Sequence, residues 1–446
     1  AAEGKVTVDF YLINEKNVRG NHQLKISVTD SQGKVMEVGT YETEAAGGEV
    51  YGQLLVKDVK IPVPAAGGLC RIQAKLCKEN SVVTTGYDDI LSVNLASNML
   101  DGKGAVWEDG NALQNFLKGK TKEAVAAYED NLGKLDWIMV ARPPKKDQLT
   151  MVPMEALRSA DGKPGLDVVY YEDMEFQKEV YHEVAKVVNL SAIEGATPSP
   201  FVYMLDGYGI KWSGKILPSV SGEYTIIPQS NDRSMIEVFV NGKKIYEITR
   251  KKEHLGDGKV YLEGGKSADI EIRFRHPRSN ARCRLDWAVP NDKMPDAQRL
   301  MERAVNDGTK IFIIQSADEW SEFIAANSKA VFKDKFFVGT NWLGGVMFNK
   351  PHDIFKELPV GNALNWPYQA LIHTGVERMG LVMEGEELLV GAYHTYPMAI
   401  GTAMGIVPMG KGSVLFSTLD IYGNIINDSA AGLVAKKLIF NMIDFK

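Results

Sequence analysis

The chain has 446 residues, of which 45% are hydrophobic and 24% are charged, a composition that is ordinary for a folded globular protein. Its length predicts about three domains at ~150 residues per domain. The net charge of −6 without a basic stripe argues against a nucleic-acid partner, and no segment approaches the ~20 apolar residues of a membrane-spanning helix.

The sequence begins Ala-Ala-Glu-Gly-Lys, without the pattern of a signal peptide. This start fits both a mature secreted protein and a piece of a larger one, and the sequence leaves both open. Cys70 and Cys77 fall in one predicted strand at positions that face opposite sides. Together with Cys283 they are predicted to be buried free thiols, with neither a disulfide scaffold nor zinc-ligand spacing.

Residues 5–95 alternate between apolar and polar positions, and turns rich in small or polar residues recur at 30–33, 45–48 and 65–68. This alternation is typical of half-buried strands, and several such strands with regular turns form a β-sandwich. We therefore expect an immunoglobulin-like domain over residues 1–97.

The periodicity then changes to a pattern of short buried strands and helices. The first predicted elements are a strand over 104–108, a helix capped by Thr121 with Val125, Tyr128 and Leu132 on one face, and a buried parallel strand over 135–141. The elements that should follow occur only after residue 290. They are a helix from Pro295 to Gly308, a strand over 309–315, a helix over 317–326, strands over 335–339 and 412–421, and a final helix over 431–442.

Residues 209–289, between these two parts, alternate with period two and carry glycine and asparagine turns. Asn241-Gly242 is a strong two-residue hairpin signal. Trp212, Tyr224 and Trp287 fall within predicted strands, where we expect them to pack in a core. The sequence thus predicts a small β-module inserted in a loop of an α/β unit, so that the strand of Trp137 and the strand of Phe312 are neighbours in one sheet.

Two sets of phrases resemble known families. The Trp-Ser-Gly strand at 212–214 and the Val-Asn-Gly-Lys hairpin at 240–243 resemble the protective-antigen lectin-like domain. The phrases at 135–140, 305–314 and 409–420 resemble the glutamine-amidotransferase-like, flavodoxin-like domain near the C-terminus of glycoside hydrolase family 2 (β-galactosidase-type) enzymes, and residues 10–15 resemble the sandwich that precedes it there.

These resemblances imply a multidomain fold that combines α/β and all-β parts. The expected domains are an immunoglobulin-like β-sandwich at 1–97, a flavodoxin-like (amidotransferase-like) α/β domain at 98–165 and 291–446, and an inserted lectin-like β-sandwich at 166–290.

Catalytic machinery is not evident in the sequence. An amidotransferase needs a nucleophilic cysteine on a strand-to-helix turn, but the turn at 339–345 contains none. The two carboxylates of a family 2 hydrolase come from a (β/α)₈ barrel of ~250 residues, which the chain does not contain. We interpret Glu15, Glu108-Asp109 and Asp88-Asp89 as solvated loop carboxylates. The sequence therefore assigns no catalytic residue to this chain. Whether a larger parent protein is an enzyme is left open.

The resemblance to the lectin-like domain implies sugar binding through calcium held by two adjacent aspartates. The matching segment here is Asn231-Asp232-Arg233, which makes these residues candidate sugar ligands and Asp232 a candidate metal ligand. Because Arg233 places a cation beside the site, a plain turn capped by Asp232 is favoured over calcium, and no other cofactor is expected.

A second candidate sugar site comprises aromatic loops of the α/β unit. Open α/β sheets bind ligands at the carboxyl ends of their strands, and the residues predicted to line such a cleft are Trp342, Trp366, Tyr368 and His373. The alternative is that Trp366 and Tyr368 seal a sheet edge or an interface. His254 and His276 are interpreted as loop residues and His394 as a strand residue.

The function implied by these resemblances is that of a non-catalytic, carbohydrate-binding and scaffolding region of a larger family 2-type glycoside hydrolase. The alternative is an independent secreted or surface carbohydrate-binding or adhesion protein. Expected partners are a glycan and other domains of the larger enzyme, and a homo-oligomer is left open. The expected location is the periplasm, the cell surface or the extracellular space.

Overall fold

The computed structural model describes residues 4–79, 81–95, 99–144, 149–192, 197–199, 202–203, 206–230, 233–278, 281–290, 295–338, 345–361, 363–364, 366–373, 379–395, 398–427 and 430–445. The chain forms two compact units. The first contains residues 1–99, 351–361 and 436–446, and the second contains residues 100–350 and 362–435. Strands dominate the described residues and helices are few.

The first unit is built on six long strands: β1 (Lys5–Ile13), β2 (Arg19–Thr29), β3 (Val35–Ala46), β4 (Gly52–Pro62), β5 (Gly68–Lys78) and β6 (Ser81–Ser92). β1 pairs with β4, and the other four form a sheet in the order β3-β2-β5-β6. One core joins the two sheets through side chains such as Leu24, Ile26, Ile61 and Ile72. The strand-rich pattern predicted for residues 5–95 is therefore confirmed, while an immunoglobulin-like topology stays a prediction.

Two details of the first unit bear on the sequence predictions. Cys70 and Cys77 are buried free thiols, as predicted, and so is Cys283 in the second unit. Asp88 and Asp89 lie in strand β6 rather than in a loop. The Arg71 guanidinium contacts the Asp89 carboxylate at 2.8 Å and lowers the pKa of Asp89.

The second unit contains the remaining strands and most of the helices. Its strands are β7 (Gly104–Glu108), β8 (Ala126–Ala127), β9 (Trp137–Ala141), β10 (Thr150–Met151), β11 (Leu157–Arg158), β12 (Leu166–Tyr171), β13 (Glu179–Ala185), β14 (Asn189–Ser191), β15 (Tyr208–Ile216), β16 (Gly222–Ser230), β17 (Met235–Val240), β18 (Lys243–Ile248), β19 (His254–Leu255), β20 (Lys259–Leu262), β21 (Ala268–His276), β22 (Arg282–Ala288), β23 (Lys310–Ile313), β24 (Val331–Phe337), β25 (Gly345–Asn349), β26 (Met379–Glu384), β27 (Glu387–Thr395), β28 (Met398–Met409) and β29 (Gly412–Ser417).

The helices are α1 (Ala112–Leu117), α2 (Ala297–Asp307), α3 (Ala317–Ala326), α4 (Gln369–His373), α5 (Ile421–Asn424) and α6 (Ala430–Asp444), with short 3₁₀ turns at Met154–Ala156 and Asp353–Phe355. Asp296 caps α2 by accepting a hydrogen bond from the Gln298 N–H, and Gly308 ends it in the left-handed conformation at φ 79°. A glycine suits this position because a Cβ would strain the left-handed backbone. The helices predicted over 295–308 and 317–326 are therefore confirmed.

A mixed sheet of ten strands forms one half of the second unit. Its order is β24-β26-β28-β29-β23-β9-β7-β8, with β25 and β27 attached through β28. Strands β8, β7, β9, β23 and β29 run parallel. Lys310 pairs with Trp137 and Phe312 with Met139. The predicted adjacency of these two strands, whose paired residues are 173 positions apart along the chain (310 − 137), is confirmed.

The β-module between β9 and β23 has two sheets around one core. One sheet has the path β13-β12-β15-β21-β17-β18-β19 with β11 beside β15, and the other has the path β10-β22-β16-β20 with β14 beside β22. Trp212, Tyr224 and Trp287 lie in this core, as the sequence predicts, and Phe274 lies there with them. Asn241 and Gly242 both have positive φ and join β17 to β18, which confirms the predicted hairpin.

Two sequence predictions about individual elements are wrong, and one predicted strand is shorter than expected. Residues 121–132 form no helix. Thr121 bridges Leu100, and Tyr128 packs its ring 5.7 Å from that of Trp107 because strand β8 pairs with β7. The strand predicted over 412–421 ends at Ser417, because Asp420 accepts a hydrogen bond from the Gly423 N–H and caps α5. His276 is fully buried at the end of β21, and His254 lies in β19, so neither is a loop residue.

Candidate functional site

The mixed sheet has a switch point between β7 and β9. Within this sheet, the strand that follows β7 along the chain is β8, which lies on the outer side of β7. The sheet strand that follows β9, after the module, is β23, which lies on the opposite side of β9. Connections that leave in opposite directions open a crevice at the carboxyl ends of the two strands, where open α/β sheets bind ligands. Glu108 is the last residue of β7, and Arg142 directly follows β9. This crevice lies in the compact second unit and meets the base of the β-module.

Asp109 forms a buried ion pair in the crevice. Its carboxylate accepts a hydrogen bond from Arg142 Nη1 at 2.6 Å and another from the Thr150 hydroxyl at 2.5 Å. The Arg142 and Asp109 side chains are only 8% and 12% exposed. Thr150 lies in β10 and pairs with Trp287 of β22, where the chain enters and leaves the module. Asp109 therefore connects the ends of β7 and β9 with the base of the module.

Glu108 is the second carboxyl of the crevice and is half-buried. It accepts hydrogen bonds from the Leu113 and Gln114 N–H groups and, at 3.0 Å, from the Tyr422 hydroxyl. Burial raises its pKa above the usual value, although these donors partly oppose the shift. The prediction that Glu108-Asp109 is solvated is therefore wrong, because Glu108 ends strand β7, Asp109 directly follows it, and both carboxylates are half-buried and hydrogen-bonded.

The Glu108 carboxyl makes stability depend on pH. Since the pKa of Glu108 in the native state is above the usual 4.5, the native state binds the proton more tightly than the unfolded state does. The contribution of Glu108 to the free energy of unfolding is therefore lost as pH rises from 4.5 towards the raised pKa. The non-titrating variant Glu108→Gln should therefore gain stability relative to wild type as pH rises through that window. Urea unfolding at a series of pH values measures this difference, with Glu129→Gln, an exposed carboxylate of the same crevice, as the control. A difference that stays constant with pH would contradict the expectation.

Two cavities adjoin this network. One of about 630 Å³ is lined by Trp107, Glu108, Tyr128, Arg142 and Arg299 among others, and one of about 350 Å³ by Glu155, Leu217 and Trp287 among others. Asp109 and Ser219 line both. Sequence reasoning applied the strand-end rule to later loops and missed Glu108, Asp109 and Arg142. The signal was available, because charged residues directly follow two short runs of apolar residues.

The structure describes two side chains of the predicted aromatic cleft, those of Trp366 and Tyr368. Trp342 lies outside the described residues, and so does the side chain of His373, whose backbone is in α4. Trp366 is 47% exposed and Tyr368 is 2% exposed, with its hydroxyl 3.3 Å from Asn349 Nδ2. Neither lines the crevice at β7 and β9. The burial of Tyr368 agrees with the packing alternative, and the assignment of these residues as sugar contacts stays a prediction.

Arg233 lines a separate cleft of about 650 Å³ at one end of the larger sheet of the module. Asn231 and Asp232 lie outside the described residues. The cleft is formed where the loop after β12, the start of β17, the turn after β18 and the end of β21 meet. Its lining residues are Met174, Glu175, Arg233, Ser234, Met235, Thr249, Arg250, Lys252, Arg275 and Pro277.

The base of this cleft is held by buried and paired groups. The Ser234 hydroxyl lies 3.1 Å from His276 Nδ1 in the interior. Arg275 donates to the Met174 carbonyl and, at 2.9 Å, to the Glu237 carboxylate. Burial raises the pKa of Glu237, but the hydrogen bonds from Arg275 and Lys244 outweigh it and hold that pKa below its usual range. Arg275 is thus a fixed, neutralised part of the wall.

Over the described residues, no group of three or more His, Cys, Asp or Glu side chains is arranged to hold a metal ion. No helix in the described part of the chain combines the length and apolar character that crossing a bilayer requires.

The chain is similar over part of its length to several known proteins. The anti-sigma-I factor RsgI3 of Acetivibrio thermocellus is 27% identical over 127 residues, which is 28% of this chain and 19% of that protein, so the chain spans about a fifth of this curated relative. A β-glucosidase structure from Kluyveromyces marxianus aligns with 49% of this chain and 29% of its own at 12% identity and a TM-score of 0.33. The epithelial adhesin 9 A domain from Candida glabrata, solved with Galβ1-3GlcNAc, aligns with 34% of this chain and 89% of its own at 13% identity and a TM-score of 0.24.

One family match is specific to the module. Residues 162–299 match the PA14 domain family. The match covers the strands and turns that form the Arg233 cleft. It agrees with the lectin-like domain expected from the Trp-Ser-Gly strand and the Val-Asn-Gly-Lys hairpin. Residues 162–299 of this chain are therefore a PA14 domain.

Proposed function

We propose that this protein binds carbohydrate through its PA14 domain, at the cleft that contains Arg233. The observation that carries the proposal is the PA14 match over 162–299, which includes the segment where the lectin-like resemblance implies sugar ligands. The cleft supports it, since about 650 Å³ is within the range of small-molecule sites and can admit one or two sugar rings.

Saturable binding on a glycan array tests this function. The whole chain should bind a defined subset of glycans, and Arg233→Gln should weaken that binding. Arg233 is exposed and has no ion-pair partner among the described residues, so this variant should fold normally. The absence of saturable binding to any glycan would contradict the proposal.

We further propose that the chain is a non-catalytic accessory and scaffolding region of a larger, exported glycoside hydrolase of the family 2 type. The resemblance of residues 135–140 and 305–314 supports this, as does the parallel order β7-β9-β23-β29 expected of a flavodoxin-like sheet. The purified chain should not turn over aryl glycosides. Turnover that a single carboxylate substitution abolishes would contradict the non-catalytic assignment. An independent secreted or surface adhesion protein is the alternative, and the coding sequence on either side of these residues distinguishes the two.

Calcium is expected to be dispensable for glycan binding. Asn231 contributes no charge, and Arg233 places a cation beside the single carboxylate of Asp232. A divalent ion needs several oxygen ligands and is repelled by a neighbouring cation. Titration of the bound glycan with and without EDTA should give the same Kd. A large loss of affinity on chelation, restored by calcium and absent in Asp232→Ala, would instead establish a calcium site.

A further inference from the structure

Cationic side chains predominate over anionic ones in the lining of the Arg233 cleft, although the net charge of the chain is −6. Of its ten lining residues, four are cationic (Arg233, Arg250, Lys252 and Arg275) and one, Glu175, is anionic. We propose that the cleft selects glycans that carry a carboxylate or sulfate group over their neutral counterparts. This inference rests on the proposed carbohydrate-binding function and names the class of ligand.

The cations come together only in the folded sheet. Arg233 precedes β17, Arg250 and Lys252 follow β18, and Arg275 lies near the end of β21. Strand β17 pairs antiparallel with both β18 and β21, and Met235 pairs with Arg275. This pairing brings the start of one strand beside the ends of its two neighbours. Three separate segments thus place their charges at one end of the sheet.

The cations differ in how they are neutralised. Arg275 is 25% exposed, is paired with Glu237 and has its guanidinium 4.6 Å from the centre of the Phe176 ring. Arg233 and Arg250 are exposed, and neither has a carboxylate within 4 Å among the described residues. Their charge is therefore available to a ligand, whereas that of Arg275 is already used by the fold.

The turn that carries Arg250 and Lys252 is closed by its own hydrogen bonds. The Thr249 N–H donates to the Glu253 carbonyl at 2.9 Å, and the Lys252 N–H donates to the Thr249 carbonyl at 2.9 Å. The Thr249 hydroxyl also accepts from the Glu253 N–H. A turn closed in this way needs little ordering when a ligand binds, which favours affinity.

Charge selection follows from the chemistry of these groups. A guanidinium presents planar N–H donors that match the two oxygens of a carboxylate or sulfate, whereas a sugar hydroxyl uses only one of them. A cleft lined mainly by one sign of charge also focuses the field and raises the local concentration of oppositely charged ligands. Neutral sugars gain nothing from this electrostatic rise in local concentration.

An array of matched glycan pairs tests the proposal. Each pair has one backbone and linkage, with a neutral member and a member carrying a uronate carboxylate or a sulfate ester. The whole chain should bind the acidic members at least about tenfold more tightly, and the preference should shrink as salt is added. Separate uronate and sulfate arms identify which anion is preferred. Arg233→Gln/Arg250→Gln should abolish the preference.

Lys243→Gln is the matched control. It removes one positive charge from the same module, but Lys243 begins β18 at the far end of the hairpin, roughly 17–20 Å from the cleft at ~3.3 Å per residue. This variant should keep the acidic preference.

Other outcomes overturn the proposal in distinguishable ways. Equal binding of neutral and acidic members, insensitive to the double substitution, would reject charge selection and leave carbohydrate binding intact. No binding to either member of any pair would reject both charge selection and carbohydrate binding. Competition by duplex DNA as strong as that of the acidic glycans would show an unspecific anion site and would also reject the proposal.

Discussion

Replacing Asp109 with alanine should lower the free energy of unfolding of the second unit by about 3–5 kcal/mol. The substitution leaves the buried Arg142 guanidinium without its carboxylate and the Thr150 hydroxyl without its acceptor. Uncompensated buried charge is among the most destabilising changes in a protein interior, because the group has lost both water and its partner. Urea unfolding followed by tryptophan fluorescence measures the effect, and all seven tryptophans lie in the second unit.

An exposed ion pair of the same unit provides the control. Glu223 lies 3.2 Å from Lys259, and the Lys259 and Glu223 side chains are 51% and 63% exposed. Because water screens such pairs, Glu223→Ala should cost about 1 kcal/mol or less. The loss of unfolding free energy in Asp109→Asn, whose side chain can still accept a hydrogen bond from Thr150, should lie between those of Asp109→Ala and Glu223→Ala. If Asp109→Ala were as mild as Glu223→Ala, the network would not hold the base of the module.

Truncating Trp320 to alanine should destabilise the second unit by about 3–5 kcal/mol. Its ring is fully buried and packs edge-on against Trp107 at 5.6 Å. Its Nε1–H donates to the Arg142 carbonyl at 2.7 Å. The variant therefore opens a cavity beneath the crevice and removes the donor that holds the residue after β9.

Trp366→Ala is the matched substitution at an exposed tryptophan. With 47% of its surface exposed, Trp366 should tolerate truncation at a cost of about 1 kcal/mol or less. Thermal unfolding of both variants tests the contrast. A Trp366→Ala effect as large as that of Trp320→Ala would show that Trp366 packs in an essential contact.

In the crevice, the local sequence pattern indicates that charged residues follow two strands, but it does not indicate that these charges are shielded from water. The strand at 104–108 was predicted with its observed bounds, yet Glu108 was interpreted as solvated. A carboxylate at the end of a strand is usually exposed, and nothing near it in sequence indicates the hydroxyl of Tyr422 or the arginine after β9. Burial of an acidic residue depends on partners that come from other parts of the chain.

The failed helix at 121–132 has a related cause. Apolar residues at helical spacing also suit a short strand with flanking turns when a neighbouring strand is available. Here β8 pairs with β7, and Tyr128 packs against Trp107, so tertiary pairing outweighed the local pattern.

The sequence by itself determined many of the elements and one pairing between distant strands. Period-two alternation predicted the strands of the first unit and of the module, Asn241-Gly242 predicted the hairpin, and the split α/β pattern predicted that β9 and β23 pair around an insertion. These features are local or repeat along the chain, so they can be found without coordinates.

Only the tertiary structure decided which charges meet. Asp109, Arg142 and Thr150 come together at the switch point, and Arg233, Arg250, Lys252 and Arg275 come together at the module's edge, although the whole chain is acidic. The physical reason is that electrostatic interactions depend on distance in space and on burial, and sheet pairing sets both.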